Sequence, residues 1–224
     1  MKNCRLFLFF ALCLTVVGMS AQQLEKGVSK ELAEQRTANI SNVAYNLTFN
    51  VPADVKTPIT GKAVITFDLQ TKSDVVLDFQ GGFSGNCSIN NKKRPASYKK
   101  EHIVLPSKFL KQGPNTVEID FACLDKALNR HQDYLFTLFA PDLASSAYPC
   151  FNQPDLKGKY TTTINAPAGW KSICSDGSNL LPTNLYSFVV GNFQEKTGTH
   201  NGHSVRILYL EKDPAKVKQV DKIL

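Results

Sequence analysis

Hydrophobic residues alternate with polar or smaller ones over many short segments of the chain. Val43, Tyr45, Leu47, Phe49 and Val51 form the first such series, and a period of two is typical of a half-buried β-strand. The same pattern predicts strands at Ala63 to Leu69, Val75 to Phe79, Ile103 to Leu105, Val117 to Phe121, Tyr134 to Phe139, Tyr160 to Ala166, Leu185 to Phe193 and Val205 to Leu210.

Turn signals separate these segments. They are Gly81-Gly82, Asn90-Asn91, Gly113-Pro114-Asn115, Pro167-Ala168-Gly169 and Asn201-Gly202, and such dipeptides and tripeptides mark tight turns between strands. Many short strands at this spacing, with no long helix between them, predict an all-β fold built as an antiparallel sandwich or open barrel.

Helical signals occur only near the two ends of the strand-rich region. Ser29 to Gln35 combines a capping serine with good helix formers. Near the other end, Asp213 can cap a helix and Pro214 suits its first position, and an apolar stripe follows at Val217, Val220 and Leu224. We interpret residues 213–224 as the start of a linker helix that leads toward a further domain.

The first residues have the features of a secretory signal. A basic start at Lys2 and Arg5 precedes an apolar run from Leu6 to Val17, and small residues follow it. We therefore predict a signal peptide over residues 1–21 and an exported protein, either periplasmic or extracellular. The run is too short to span a bilayer comfortably, so no membrane partner is expected after cleavage.

Charge and cysteine content narrow the function further. The formal net charge is +7, and loss of Lys2 and Arg5 with the signal would leave +5, which is modest for a nucleic-acid partner. Four cysteines remain after residue 21, at Cys87, Cys123, Cys150 and Cys174. They show no C-x-x-C spacing. Cys150 is interpreted as a buried core cysteine, with disulfide pairing as the alternative.

The segment from Leu135 to Trp170 carries a family resemblance. It reads LFTLFAPDLASSAYPCFNQPDLKGKYTTTINAPAGW and resembles the aminopeptidase N-like zinc metallopeptidases (peptidase family M1), whose pattern is T-Q-F-E-P-x-x-A-R-x-x-F-P-C-F-D-E-P-x-x-K. The matching positions are Pro141, Ala144, Pro149, Cys150, Phe151, Pro154 and Lys157.

Flanking segments resemble the same family. Residues 40–47 are similar to its opening strand, Ile59-x-Gly61 to the next one, and LYSFVVGNF at residues 185–193 to a later one. The resemblance implies that residues 22–212 form a saddle-shaped β-sandwich that abuts a catalytic domain.

Several positions depart from the family pattern. Leu138 and Ala140 stand where the family has a glutamine and an acidic residue that contact the substrate's amino terminus. They remain candidates for the wall of a substrate cavity, without that polar role. Asn152 and Gln153 replace an aspartate and a glutamate, and Ser145 stands where the family often has arginine.

The run from Pro149 to Pro154 also has a physical reading of its own. Each proline fixes its own φ and biases the residue before it toward an extended conformation, so a rigid, irregular loop is expected. Such a loop can simply hold Phe151 in the core, or it can contact substrate.

The sequence lacks the elements of a zinc peptidase. The chemistry requires two histidines four residues apart on a helix, with a glutamate between them and a third ligand. The four histidines, His102, His131, His200 and His203, do not have that spacing, and no G-A-M-E-N segment occurs. We expect no metal site and no cofactor in this chain, with zinc in the catalytic domain of the parent enzyme.

Two functions follow from these observations. The first is a non-catalytic N-terminal domain of an exported zinc aminopeptidase, which walls the active-site cavity. Its partners would be the catalytic domain of the same polypeptide and, through the parent enzyme, peptide substrates. The second is a freestanding exported β-sandwich binding module without peptidase activity.

Overall fold

The structure is a computed structural model that describes residues 24–218. The predicted signal peptide and residues 219–224 of the predicted linker helix lie outside the described residues. Within residues 24–218, no helix is long and apolar enough to cross a lipid bilayer.

Strands dominate the described part of the chain, and this confirms the all-β prediction. The first nine strands are β1 Ile40–Asn50, β2 Thr60–Leu69, β3 Val75–Asp78, β4 Gly82–Phe83, β5 Asn86–Ile89, β6 Lys92–Pro95, β7 Ser97–Lys99, β8 His102–Leu105 and β9 Gly113–Ala122. The others are β10 Leu128–Arg130, β11 Tyr134–Thr137, β12 Gly158–Asn165, β13 Lys171–Cys174, β14 Gly177–Leu181, β15 Phe188–Gly191, β16 Gln194–His200 and β17 His203–Tyr209. The α-helices are α1 Lys30–Asn39 and α2 Pro214–Val217, and short 3-10 helices lie at Ser107–Phe109, Asp125–Ala127 and Ala144–Ser146.

The strands form four sheets. The large sheet has the order β14-β12-β1-β2-β9-β5-β6, with β4 also paired to β9. A four-stranded sheet has the order β10-β11-β15-β13, and a three-stranded sheet the order β3-β8-β7. Strands β16 and β17 form a separate hairpin whose tip is the predicted Asn201-Gly202 turn.

One strand pair departs from the predicted antiparallel arrangement. Strand β12 lies parallel to β1, with Tyr45 opposite Tyr160. A parallel pair needs a long crossover connection. Here strands β2 to β11 lie along the chain between β1 and β12. Hydrophobic periodicity reports which face of a strand is buried but not its direction, so the sequence pattern does not show this pair.

Aromatic side chains fill the core between the large sheet and the four-stranded sheet. Tyr45 and Tyr160 stack with ring centroids 4.9 Å apart, and Tyr160 stacks on Tyr186 at 4.3 Å. Phe49 of β1 contacts Phe188 of β15 at 4.8 Å. Because aromatic rings bury large apolar areas, these contacts hold the two sheets face to face.

The helices begin where the sequence predicts. The Ser29 side chain accepts a hydrogen bond from the amide of Leu32, and Asp213 caps the turn that starts at Pro214. Helix α1 continues one turn beyond the predicted end at Gln35 and reaches Asn39. Arg36 in that last turn is buried by contacts with other parts of the chain.

Some strands are missing from the predicted set, and others are shorter than predicted. Strands β6, β7, β14 and β16 are largely exposed, so they lack the apolar alternation that reveals a strand. The strand predicted at Leu185 to Phe193 is formed only at Phe188–Gly191, because the amides of Leu185 and Tyr186 instead bond to the Pro182 carbonyl oxygen in a turn.

Candidate functional site

The loop from Pro149 to Pro154 is attached to the core through its backbone. The Cys150 amide donates to the carbonyl oxygen of Asp78 at 3.1 Å, and the Asp78 amide donates to the Cys150 carbonyl oxygen at 2.8 Å. The Phe151 amide donates to the hydroxyl of Tyr45 at 3.1 Å, and its ring meets Phe67 edge-on at 5.7 Å. Pro149, Cys150 and Phe151 are buried, whereas Pro154 and Lys157 are exposed.

Cys150 has the properties of a packed, unreactive thiol. It is fully buried, and all four cysteines in the described residues are unpaired thiols. Burial raises the pKa of the Cys150 thiol well above its usual value, so the nucleophilic thiolate is disfavoured.

Beneath the loop, the carboxylate of Asp78 is the centre of a buried polar cluster. Arg36 donates to both of its oxygens, at 2.7 and 2.9 Å, and Nδ1 of His102 lies 2.9 Å from Oδ1. The backbone amide of Asn152 donates to Oδ2 at 2.8 Å. Burial raises the pKa of Asp78, but Arg36, His102 and the Asn152 amide together lower it below the usual value, so the carboxylate is ionised.

The side-chain amides of Gln153 and Asn152 both donate and accept hydrogen bonds. Gln153 Oε1 accepts from Arg36, and Nε2 donates to the Ala33 carbonyl oxygen, Thr37 Oγ1 and Asp155 Oδ1. A glutamate could not make these donations, because an ionised carboxylate only accepts.

Asn152 is used in the same way. Its Nδ2 donates to the Asp142 carbonyl oxygen at 2.6 Å, and its Oδ1 accepts from Thr183 Oγ1 at 3.1 Å. An ionised carboxylate at either position could not make the donated bonds.

A cavity of about 340 Å³ lies beside this cluster. Asp78, His102, Asn152 and Gln153 line it from the cluster, and Gly27 and Val28 line it from the segment before α1. The Asp142 and Asp155 side chains add acidic groups to its wall.

Leu138 and Ala140 lie elsewhere, just beyond the end of β11 in the four-stranded sheet. Both are exposed, and the Leu138 side chain is 56% accessible. On the outer face of this sheet, Phe136 of β11 is paired with Val189 of β15, which is paired in turn with Ile173 of β13. We call Phe136, Leu138 and Ile173 the apolar outer face.

The site candidates therefore divide into two groups. The Pro149 to Pro154 loop is joined to the three-stranded sheet through Asp78, whereas Leu138 and Ala140 extend a strand of the four-stranded sheet. Sequence reasoning missed Arg36, Asp78 and His102. The available signal was an aspartate within the apolar run from Val75 to Phe79, since an unpaired charge is not tolerated in a buried strand.

The histidines do not fit a zinc site. Both ring nitrogens of His102 are engaged, and the His131 ring stacks on Tyr134 with centroids 4.3 Å apart. His200 and His203 face each other across the β16–β17 turn. Among residues 24–218 no group of three His, Cys, Asp or Glu side chains is placed to hold a metal ion.

No protein-family model and no curated protein sequence matches the chain. Solved structures do match its fold. An M1 zinc metallopeptidase from Deinococcus radiodurans superposes with a TM-score of 0.62 at 15% identity, covering 75% of this chain and 46% of that one. A two domain M1 zinc metallopeptidase, a mutant bound to L-arginine, gives 0.65 at 16% identity over 79% and 49% of the two chains.

Leukotriene A4 hydrolase from Saccharomyces cerevisiae is also similar, with a TM-score of 0.62 at 17% identity, covering 76% of this chain and 32% of that one. The chain thus aligns with about half or less of the length of each of these structures. At this identity the similarity shows a shared fold.

Proposed function

We propose that this chain is the non-catalytic N-terminal domain of an exported zinc aminopeptidase and that it walls one side of the active-site cavity. The chemistry would belong to a catalytic domain of the same polypeptide, which would hold the zinc and act on peptide substrates. Residues 24–218 would supply shape and contact surface.

The apolar outer face is the observation that carries this proposal. The other side of the same sheet is packed into the aromatic core through residues such as Leu135 and Phe188, yet Phe136 and Ile173 are 40% and 39% accessible on the outside. Apolar side chains exposed on neighbouring strands of one sheet are a suitable surface for a partner domain. The M1 structures of similar fold extend well beyond the aligned region, so the occupant we propose is a catalytic domain.

The position of Leu138 and Ala140 supports the same reading. Leu138 is part of the apolar outer face and Ala140 lies two residues further along the chain, at the two positions where the resemblance places residues that contact the substrate. A leucine cannot donate to or accept from an amino terminus, so recognition of the amine would fall to the catalytic domain. The wall at Leu138 would contact substrate only through apolar surface.

The first test is the reading frame of the gene beyond Leu224. In-frame G-A-M-E-N and H-E-x-x-H segments are expected. A stop codon at that point would contradict the proposal and favour the freestanding binding module. Amino-terminal sequencing of the exported product tests the predicted signal, and cleavage near residue 21 is expected.

The second test measures how much Leu138 contributes to substrate binding in the longer polypeptide. We expect Leu138→Gln to change KM for aminoacyl anilides by roughly 3-fold or more, because a polar amide would replace an apolar contact with substrate. Leu180→Gln is the matched control. Leu180 has the same 56% accessibility but lies on β14 of the large sheet, and its replacement should leave KM unchanged. Equal effects of the two substitutions would contradict the assignment of the wall.

A further inference from the structure

The contacts of His102 require both of its ring nitrogens to carry a proton. Nδ1 lies 2.9 Å from the Asp78 carboxylate, and Nε2 lies 2.7 Å from the carbonyl oxygen of Glu25. Both neighbouring atoms are acceptors, and Asp78 is ionised because Arg36 binds both of its oxygens. A neutral imidazole has one donor nitrogen, so it can satisfy only one of these two contacts.

His102 attaches the segment Leu24–Val28 to the rest of the molecule through a backbone carbonyl oxygen. The Glu25 carbonyl oxygen binds His102, and the Lys26 ammonium pairs with the Glu101 carboxylate at 2.6 Å. The Lys26 side chain is 70% exposed, and exposed ion pairs contribute little to stability. Gly27 and Val28 of this segment form part of the cavity wall.

We propose that His102 is a pH-sensitive latch for the segment Leu24–Val28. The imidazolium holds this segment against the cavity at low pH. Deprotonation releases the segment and opens the cavity on that side.

The charges around His102 determine the direction of the switch. Asp78 faces it from β3 and Arg36 stands behind Asp78 on α1, while Glu101 precedes it with Lys26 bound, and Asp142 and Asp155 share the cavity wall. Burial lowers the pKa of His102, but the hydrogen bonds to Asp78 and Glu25 raise it by more, so the pKa lies above the usual 6.5. The remaining proton stays on Nδ1 facing the charged Asp78, and the Glu25 carbonyl oxygen therefore loses its donor.

The sign of the effect follows from that raised pKa. Docking of the segment is fully present below the ordinary histidine pKa and is lost as the pH rises through the higher value in the folded protein. The cavity is therefore closed on this side in mildly acidic surroundings and open in alkaline ones.

Amide hydrogen exchange of the purified protein tests the latch. We expect exchange at Lys26, Gly27 and Val28, corrected for the intrinsic pH dependence of the chemistry, to rise by at least roughly 10-fold between pH 5.5 and 9. His102→Gln should remove this step and give fast exchange throughout the range. His131→Gln replaces a histidine that stacks on Tyr134 far along the chain and should leave the step intact.

If the His102→Gln variant fails to fold, NMR of the His102 ring in the wild-type protein tests the same proposal. In the wild-type protein, the ¹⁵N chemical shifts of His102 should show a doubly protonated ring below pH 6.5, and its titration midpoint should coincide with the exchange step. A singly protonated ring at pH 5.5 would overturn the proposal. Exchange in the segment that does not change across the titration, or a step that persists in His102→Gln, would also overturn it.

Discussion

At the scale of single residues, the buried carboxylate of Asp78 connects several distant parts of the chain. Asp78 joins α1 through Arg36, β8 through His102 and the proline-bracketed loop through the Asn152 amide. Arg36 also donates to the Val76 carbonyl oxygen, and its guanidinium lies 5.6 Å from the centre of the Phe151 ring. Three separate parts of the chain therefore depend on a single charge.

We predict that Arg36→Met lowers the free energy of unfolding by about 3–5 kcal/mol, since it leaves the Asp78 carboxylate buried with its main counter-charge removed. Urea denaturation followed by circular dichroism at neutral pH measures this. The loss should shrink at low pH, where Asp78 can take up a proton.

The control for Arg36 is an exposed pair of the same kind. Lys62 lies 3.5 Å from Asp120 with both side chains at least half accessible, and Lys62→Met should cost less than about 1 kcal/mol. Similar losses in the two variants would show that burial of Asp78 is not the source of the effect.

At the scale of elements, a glycine allows β1, β2 and β9 to bring two aromatic rings together. Gly61 is paired with Phe49 on one side and Phe121 on the other, and the rings of these two residues meet edge-on at 5.7 Å. A Cβ at position 61 would lie 2.5 Å from Cζ of Phe121 and would also collide with the Thr48 carbonyl oxygen.

We predict that Gly61→Ala lowers the free energy of unfolding by about 1–3 kcal/mol, because the added methyl group overpacks the core. Gly82→Ala is the control on β4, which also pairs with β9. A Cβ there lies 3.2 Å from the Cβ of Ala122, so a smaller loss, under about 1 kcal/mol, is expected. Thermal or urea unfolding of both variants decides the comparison, and an equal loss would contradict the packing explanation.

At the scale of the whole molecule, the described residues form packed sheets that carry the apolar outer face on the four-stranded sheet. Hydrogen bonds link the Asp78 carboxylate to α1, β8 and the proline-bracketed loop, while Nε of Arg36 has no hydrogen-bond partner among the described residues. His102 and the Cys123 thiol contact backbone carbonyl oxygens, and the His131 ring stacks on Tyr134.

We predict that the purified chain alone retains no stoichiometric zinc after dialysis and does not hydrolyse aminoacyl anilides in the presence of added zinc. The reason is that a catalytic zinc needs three protein ligands and one open position. Metal analysis and a colorimetric assay test this. Chelator-sensitive turnover from one tightly held zinc would contradict it.

Much of the fold is predictable from local patterns. The alternating apolar residues of β1, β2 and β9 predict half-buried strands, and the Asn90-Asn91 and Asn201-Gly202 turns occur where the sequence indicates them. The cap at Ser29 is likewise local, because its hydrogen bond spans three residues. Such signals rest on steric and hydrogen-bonding preferences of neighbouring residues, which tertiary context seldom overrides when the side chain also faces the core.

The candidate site is much less predictable. The resemblance selected the loop from Pro149 to Pro154, but its meaning depends on contacts with residues 70 or more positions earlier, such as Asp78 and Arg36. The same holds for Asn152 and Gln153. Compared with the motif, these two residues suggest the loss of two carboxylates. In the structure, the side-chain amide of each residue both donates and accepts hydrogen bonds.

By itself, the sequence determined the all-β character of this protein, its helix starts and its tight turns, because these follow from periodicity and from the φ preferences of single residues. Tertiary structure decided the parallel pairing of β1 with β12, the ionised Asp78 cluster and the exposure of Leu138 and Ala140. It also decided which acceptors the two ring nitrogens of His102 face. These features depend on which distant groups meet in a low-dielectric interior, where a charge is tolerated only beside its partner, and the order of residues along the chain does not contain that information.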